Sequence, residues 1–88
     1  MQFANVGFGN LVSVSRILAI LDVESQPVKR LGQEAKAAGL LIDATQGRRT
    51  KSVLLLDSGH VVWSYLVPET LAKHLGFDST KEDEGEKR

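Results

Sequence analysis

The chain has 88 residues, contains no cysteine and carries a formal net charge of zero. This length predicts one domain with a small core, and the lack of cysteine excludes disulfides, thiolate metal sites and a cysteine nucleophile. The first ten residues do not resemble a signal peptide, and no apolar run approaches the roughly 20 residues that span a bilayer. We therefore expect a soluble cytoplasmic protein that does not bind a membrane.

The charges are unevenly distributed along the chain. Residues 78–88 contain five acidic and three basic residues, a net charge of −2, whereas residues 1–77 contain eight basic and six acidic residues, a net charge of +2. No apolar residue follows Phe77, so the last segment cannot bury enough surface to offset its ordering entropy. The sequence predicts a mildly basic domain over 1–77 and a disordered acidic tail over 78–88.

Short apolar segments separated by Gly, Asn, Asp and Ser predict a sheet of short strands. The predicted strands cover 3–6, 11–14, 17–21, 40–44, 52–56 and 61–66. The turn residues Asp57, Ser58 and Gly59 predict that the last two strands form a hairpin. Residues 45–51 lie between two apolar strands, and we expect them to form a hairpin loop as well.

One main helix is predicted after the third strand. Ser25 is a candidate N-cap, Pro27 lies in the first turn, and Gly39 is placed to end the helix in a left-handed conformation. A second, short helix is predicted from Pro68 to near Gly76. The main helix should pack one stripe on the sheet, formed by Val28, Leu31, Ala35 and Ala38. The predicted fold class is α+β, a small and mostly antiparallel sheet with one main helix and a short C-terminal helix.

Three of the predicted strands are apolar at consecutive positions, over 17–21, 53–56 and 61–63. Side chains alternate between the two faces of a strand, so both faces of the sheet must be covered. The chain has too little predicted helix to cover them. We therefore expect a homo-oligomer larger than a dimer, and the alternative is a barrel that buries one face internally.

The segment from Thr45 to Lys51 carries the adjacent pair Arg48 and Arg49. Guanidinium groups bind phosphate through two hydrogen bonds and keep their charge at any working pH. Arg48, Arg49 and Lys51 are therefore candidate DNA-binding residues. The alternative is a solvated loop whose arginines pair with Asp43 or Asp57.

Arg16 is a separate candidate because it places one cation between two apolar strands. A buried unpaired charge is costly, so this side chain must reach solvent or a partner. An ion pair with a carboxylate such as Asp22 explains it equally well. Lys29 and Arg30, on the predicted main helix, are weaker candidates for DNA binding.

Residues of the types used in catalysis do not form a recognisable pattern. His60 and His74 lack a carboxylate at metal-ligand spacing, and no serine occurs in a nucleophile-elbow pattern. The glycines around Phe8 are not followed by a helix or by the lysine of a phosphate-binding loop, so we interpret them as turn glycines. We expect no enzyme activity, no cofactor, no metal site and no small-molecule substrate.

The chain resembles the RemA family, regulators of extracellular matrix genes in Gram-positive spore-forming bacteria, over about residues 2–77. The resemblance is carried by the segments Phe3-Ala-Asn-Val-Gly-Phe-Gly-Asn10, Pro27-Val-Lys-Arg30, Gly39-Leu-Leu-Ile-Asp-Ala-Thr45, Gly47-Arg-Arg-Thr50, Asp57-Ser58 and Pro68-Glu-Thr70. The string over 41–50 is its most specific part. Ser15, where related proteins are expected to have asparagine, and the acidic tail depart from the family pattern.

The resemblance implies a transcriptional activator of biofilm matrix operons. It further implies a ring-shaped homo-oligomer that binds double-stranded DNA cooperatively, with Arg16, Arg48 and Arg49 at the positions of the family's DNA-contacting arginines. A different class of function remains open, a structural self-assembling module whose basic loop binds the acidic surface of a protein partner. A small ligand-binding or catalytic domain is a third reading, which lacks a convergent set of polar residues.

Overall fold

The computed structural model describes residues 2–76, and the predicted acidic tail lies outside the described residues. The strands are β1 (Phe3–Asn5), β2 (Leu11–Ser13), β3 (Ile17–Asp22), β4 (Leu41–Asp43), β5 (Ser52–Leu56) and β6 (Val61–Ser64). The helices are α1 (Gln26–Ala38) and α2 (Pro68–His74), and a 3-10 turn (Val14–Arg16) joins β2 to β3. Each predicted strand and helix is present, with ends that differ by one or two residues.

The strands form two sheets. A four-stranded sheet has the order β3-β5-β6-β4, and β1 and β2 form a separate antiparallel pair. The β3–β5 and β5–β6 pairs are antiparallel, whereas β4 pairs with β6 in parallel. The α+β class and the β5–β6 hairpin are confirmed, and the larger sheet is mixed. The prediction of a hairpin loop over 45–51 is wrong, because β4 and β5 are not neighbours and this loop passes the end of β6.

Helix α1 begins and ends as its sequence predicts. The hydroxyl of Ser25 accepts a hydrogen bond from the N–H of Val28 at 3.3 Å, and Gly39 adopts a left-handed conformation with φ of 75°. Val28, Leu31 and Ala35 pack against the sheet, but Ala38 is exposed, contrary to the prediction. The interior of α1 contributes an additional buried residue, Gly32, which lies directly against the indole of Trp63.

The sheet has a covered core on each face. On one face Val53 and Val61 pack with α1. On the other face the side chains of the sheet pack with the β1–β2 hairpin and with α2, in a cluster formed by Val6, Ala44, Leu54, Val62 and Leu71. The expectation that only other subunits can cover the second face is therefore wrong. The β1–β2 hairpin covers much of the second face, whereas the prediction considered only helices as possible cover within one chain.

Neither of the helices within residues 2–76 combines the length and the apolar character needed to cross a membrane. Helix α2 instead packs on β1 and β3. Its single fully buried side chain, Leu71, lies in the core.

Candidate nucleic-acid interface

The basic loop is fixed at its start by a side-chain to main-chain contact. Asp43, at the end of β4, accepts hydrogen bonds from the N–H of Thr45 at 2.9 Å and from its hydroxyl at 2.6 Å. Those two bonds, with a smaller contribution from the charge of Lys36, hold the pKa of Asp43 below its ordinary value, although partial burial opposes them. Thr45 itself is only 3% exposed, so its hydroxyl depends on this carboxylate.

The loop then turns sharply. Gln46 and Gly47 both have positive φ, 50° and 84°, and the N–H of Arg48 donates to the carbonyl of Thr45 at 3.0 Å. Glycine adopts this conformation without steric cost, so Gly47 permits the tight turn. Arg48 and Arg49 follow immediately and are both exposed.

The end of the loop is tied to the sheet by two buried serines. The N–H of Lys51 donates to the carbonyl of Ser64 at 2.8 Å, and Ser52 pairs with Ser64 across β5 and β6. The hydroxyl of Ser64 donates to the carbonyl of Val6 at 2.8 Å, while that of Ser52 donates to the carbonyl of Leu66. The basic residues therefore stand on a loop that is held at both ends.

The loop cations border a shallow cleft of about 350 Å³ that is lined by Arg48, Arg49, Lys51 and Tyr65. None of the carboxylates within residues 2–76 lines it. Among residues 2–76, Asp57 pairs with Arg16 and Asp43 bonds Thr45, so the alternative in which these carboxylates neutralise the loop arginines is not realised. This cleft has the charge, the donors and the exposure needed to bind an anion such as phosphate.

Arg48 also contacts two aromatic rings. Its guanidinium carbon lies 5.8 Å from the ring centroid of Phe8 and 5.7 Å from that of Tyr65. The interpretation of residues 7–9 as mere turn glycines overlooked this contact. One feature of the sequence could have pointed to this contact: an aromatic residue lies between Gly7 and Gly9 in a chain with few aromatic residues.

A second groove that also borders Arg49 has a different charge. Arg49 and Lys51 line it together with three carboxylates, those of Asp22, Glu24 and Glu69. Positive and negative charges offset one another there. The cleft beside Arg48 is therefore the more favourable position for a phosphate.

Arg16 lies at the other end of the sheet. Its guanidinium forms an ion pair with Asp57 at 3.1 Å, and its side chain is 66% exposed. Asp57 follows the end of β5, whereas Lys51 precedes the start of β5. The structure therefore does not bring Arg16 together with the loop cations in one subunit, and the partner of Arg16 is Asp57 and not Asp22.

Lys29 and Arg30 are exposed on the first half of α1. Helix α1 follows Asp22, which pairs with Ser52, so its start lies at the same end of the sheet as the basic loop. The structure gives these two residues no direct contact with the loop cleft.

Each histidine ring has one hydrogen-bond partner within the described residues. His60 is hydrogen-bonded to the hydroxyl of Ser58 at 2.7 Å, and His74 lies 2.8 Å from the carbonyl of Asn5. In the part of the chain that the structure describes, no three metal-binding side chains cluster together. Neither histidine lines the cleft beside Arg48.

The chain matches the family model described as extracellular matrix regulatory protein A-like, or RemA-like, over residues 3–75. Three similar proteins each carry the name "Putative regulatory protein". One from Natranaerobius thermophilus is 49% identical over 96% of this chain and 94% of its own length. One from Clostridium botulinum is 50% identical over 98% and 97%. One from Alkaliphilus metalliredigens is 52% identical over 96% and 91%. The chain belongs to the RemA-like family of regulatory proteins.

Proposed function

We propose that this chain is a DNA-binding transcriptional regulator of extracellular matrix genes, without enzyme activity, that acts as a ring-shaped homo-oligomer. Arg48, Arg49 and Lys51 bind the phosphate backbone of double-stranded DNA, and Arg16 adds a second contact. The family to which the chain belongs supports the regulatory role and the class of target gene.

The observation that carries this proposal is the cationic cleft. Arg48, Arg49 and Lys51 line it with Tyr65, and no carboxylate of the described part of the chain joins them. The loop that carries these cations is held by Asp43 at one end and by the β5–β6 pair at the other. Contacts to phosphate fix the position of a protein on a duplex, and exposed arginines on a rigid loop suit that role.

Apolar side chains that remain exposed in the single subunit support an oligomer larger than a dimer. The edge strands β3 and β4 expose Leu18 and Ile42, which are 66% and 45% accessible, and Leu11 on β2 is 61% accessible. Leu18 borders a groove of about 310 Å³ between β3 and α2, whereas Leu11 and Ile42 border a groove of about 620 Å³ beside β4. The larger groove is also lined by Arg16 and Asp57, so it extends from β4 past the end of β5 to the turn before β3. Two different, partly apolar grooves on one subunit favour a head-to-tail contact, which generates a ring when the rotation closes.

Repetition explains how a subunit of zero net charge binds DNA. Each subunit contributes few phosphate contacts, but many weak sites on one scaffold raise the overall affinity by about 10² to 10⁴ over a single site. A ring also presents its cations along a curve, so the deformability of DNA contributes to selectivity.

The test combines a gel shift with native mass spectrometry, using labelled duplex DNA from upstream of extracellular matrix genes of the same genome. We expect a retarded complex that contains more than two subunits. The variant Arg48→Glu/Arg49→Glu is the control, because it reverses two exposed charges and leaves the core unchanged. A monomer, or an oligomer that leaves the duplex unshifted but binds polyglutamate through the same arginines, would contradict the proposal and favour a protein-docking module.

A further inference from the structure

The conformation of Phe8 is unusual for a bulky residue. Phe8 lies at the tip of the β1–β2 hairpin with φ of 55°, between Gly7 and Gly9, whose φ values are 121° and 77°. The left-handed region is sterically costly for side chains of this size and is normally occupied by glycine or asparagine. The side chain is 41% exposed and lies outside both core clusters. Burial in the core therefore does not explain a phenylalanine at this position.

Phe8 packs on a second aromatic residue, Tyr65, just after the end of β6. The two ring centroids are 4.8 Å apart and the rings are tilted by 35°, which is a favourable aromatic arrangement. The absence of a side chain at Gly7 permits this contact, because a Cβ there would lie 2.7 Å from Cε1 of Tyr65. The hairpin backbone is thus pressed against Tyr65, and Phe8 is held beside it.

The pair of rings is placed under one arginine of the basic loop. The guanidinium carbon of Arg48 lies within 6 Å of both ring centroids, at 5.8 Å and 5.7 Å, the range of a cation–π interaction. A guanidinium group that lies against an aromatic face keeps its N–H groups free for hydrogen bonds. An ammonium group is not planar and cannot present two parallel N–H donors in the same way.

We propose that Phe8 and Tyr65 form an aromatic support that orients Arg48 for two-point binding of a DNA phosphate. They are positioning residues, since they act through Arg48. The two arginines of the loop then differ, because Arg48 requires a guanidinium group and Arg49 acts as a simple charge. This inference rests on the proposed function of the loop in DNA binding.

The test measures affinity for a fluorescently labelled linear duplex of mixed sequence by fluorescence anisotropy at fixed salt. Phe8→Leu keeps the apolar volume and the backbone constraint but removes the aromatic face, and we expect about two- to fivefold weaker binding. Phe8→Tyr restores the face and binds like the wild type. Phe3→Leu is the matched control, because Phe3 is an exposed phenylalanine of the same hairpin, 54% accessible, that is not in the aromatic support.

A double-mutant cycle separates positioning from a general structural effect. In an Arg48→Ala background Phe8→Leu should cause no further loss, whereas in an Arg49→Ala background it should cause the same loss as in the wild type. Equal losses in both backgrounds, or an effect of Phe8→Leu no larger than that of Phe3→Leu, would overturn the aromatic support.

Lysine variants give a second test that leaves the rings in place, so it holds even where Phe8→Leu lowers stability. Arg48→Lys should weaken binding more than Arg49→Lys, and equal effects would overturn the inference. If neither Arg48→Ala nor Arg49→Ala changes DNA binding, the proposed function itself fails. If Arg48→Ala weakens binding and Phe8→Leu does not, only the aromatic support fails.

Discussion

Asp43 holds Thr45 through both its main-chain N–H and its hydroxyl, and this pair fixes the start of the basic loop. Asp43→Ala leaves the nearly buried Thr45 without its acceptor, so we expect the free energy of unfolding to fall by about 1–3 kcal/mol. Urea denaturation measures this change. Asp22→Ala is the control, since Asp22 accepts one bond from the N–H of exposed Glu24 and should cost less.

The same contact predicts a dependence of stability on pH. A carboxylate whose pKa is lowered by folding stabilises the fold fully above its unfolded value, 3.8, and that contribution is lost as the pH falls through the lower folded value. Between pH values just above and well below 3.8, the wild type should therefore lose more stability than Asp43→Ala. An identical loss in both proteins would show that Asp43 does not couple protonation to folding.

Gly32 provides a test of packing between α1 and the sheet. A Cβ at this position would lie 2.8 Å from Nε1 of Trp63. Replacing glycine by alanine within a helix normally gains up to about 1 kcal/mol, but overpacking costs about 1–3 kcal/mol. We expect Gly32→Ala to lower the melting temperature. Adding Trp63→Phe, which shortens the opposing ring, should recover part of the loss, and a stabilised Gly32→Ala protein would contradict this packing.

The ion pair between Arg16 and Asp57 is exposed, so it should contribute at most about 1 kcal/mol to stability. Arg16→Ala and Asp57→Asn should therefore change the urea midpoint little. Their effects on DNA binding should differ. Arg16→Ala removes a cation, whereas Asp57→Asn frees the guanidinium of Arg16 from its ion pair. Anisotropy with duplex DNA checks this, and equally weakened binding by both variants would mean that the pair acts on structure and not on DNA.

Local patterns predicted the elements of the fold and the β5–β6 hairpin, but not the order of the strands in the sheet. Ser25 and Gly39 delimit α1 as expected because capping depends on neighbouring residues alone. The parallel pairing of β4 with β6 was missed, because strand order depends on contacts between distant segments that periodicity does not encode. The prediction also placed Ala38 on the buried stripe of α1, whereas this residue, the last of the helix, is exposed.

The candidate site was predictable only in part. The exposed charges of Arg48 and Arg49 follow from their place in a polar segment between strands. Their environment does not, because the rings of Phe8 and Tyr65 reach Arg48 from two distant segments of the chain. For Arg16, an ion pair with a carboxylate such as Asp22 was one of two alternatives. Arg16 does form an ion pair, but with Asp57, which is more distant in sequence.

The most direct test of phosphate binding by the basic loop is the salt dependence of DNA binding by Arg48→Ala and Arg49→Ala. Lys73→Ala, at an exposed position of α2, is the control for loss of one positive charge. Each lost phosphate contact lowers the slope of log affinity against log salt by about 0.9, because fewer counterions are released on binding. Exposed loop substitutions change stability by about 0.5 kcal/mol or less, so melting and native mass should stay as in the wild type. We predict weaker binding and a flatter slope for both arginine variants and not for Lys73→Ala. Wild-type affinity and slope in both arginine variants would show that the loop arginines do not bind phosphate.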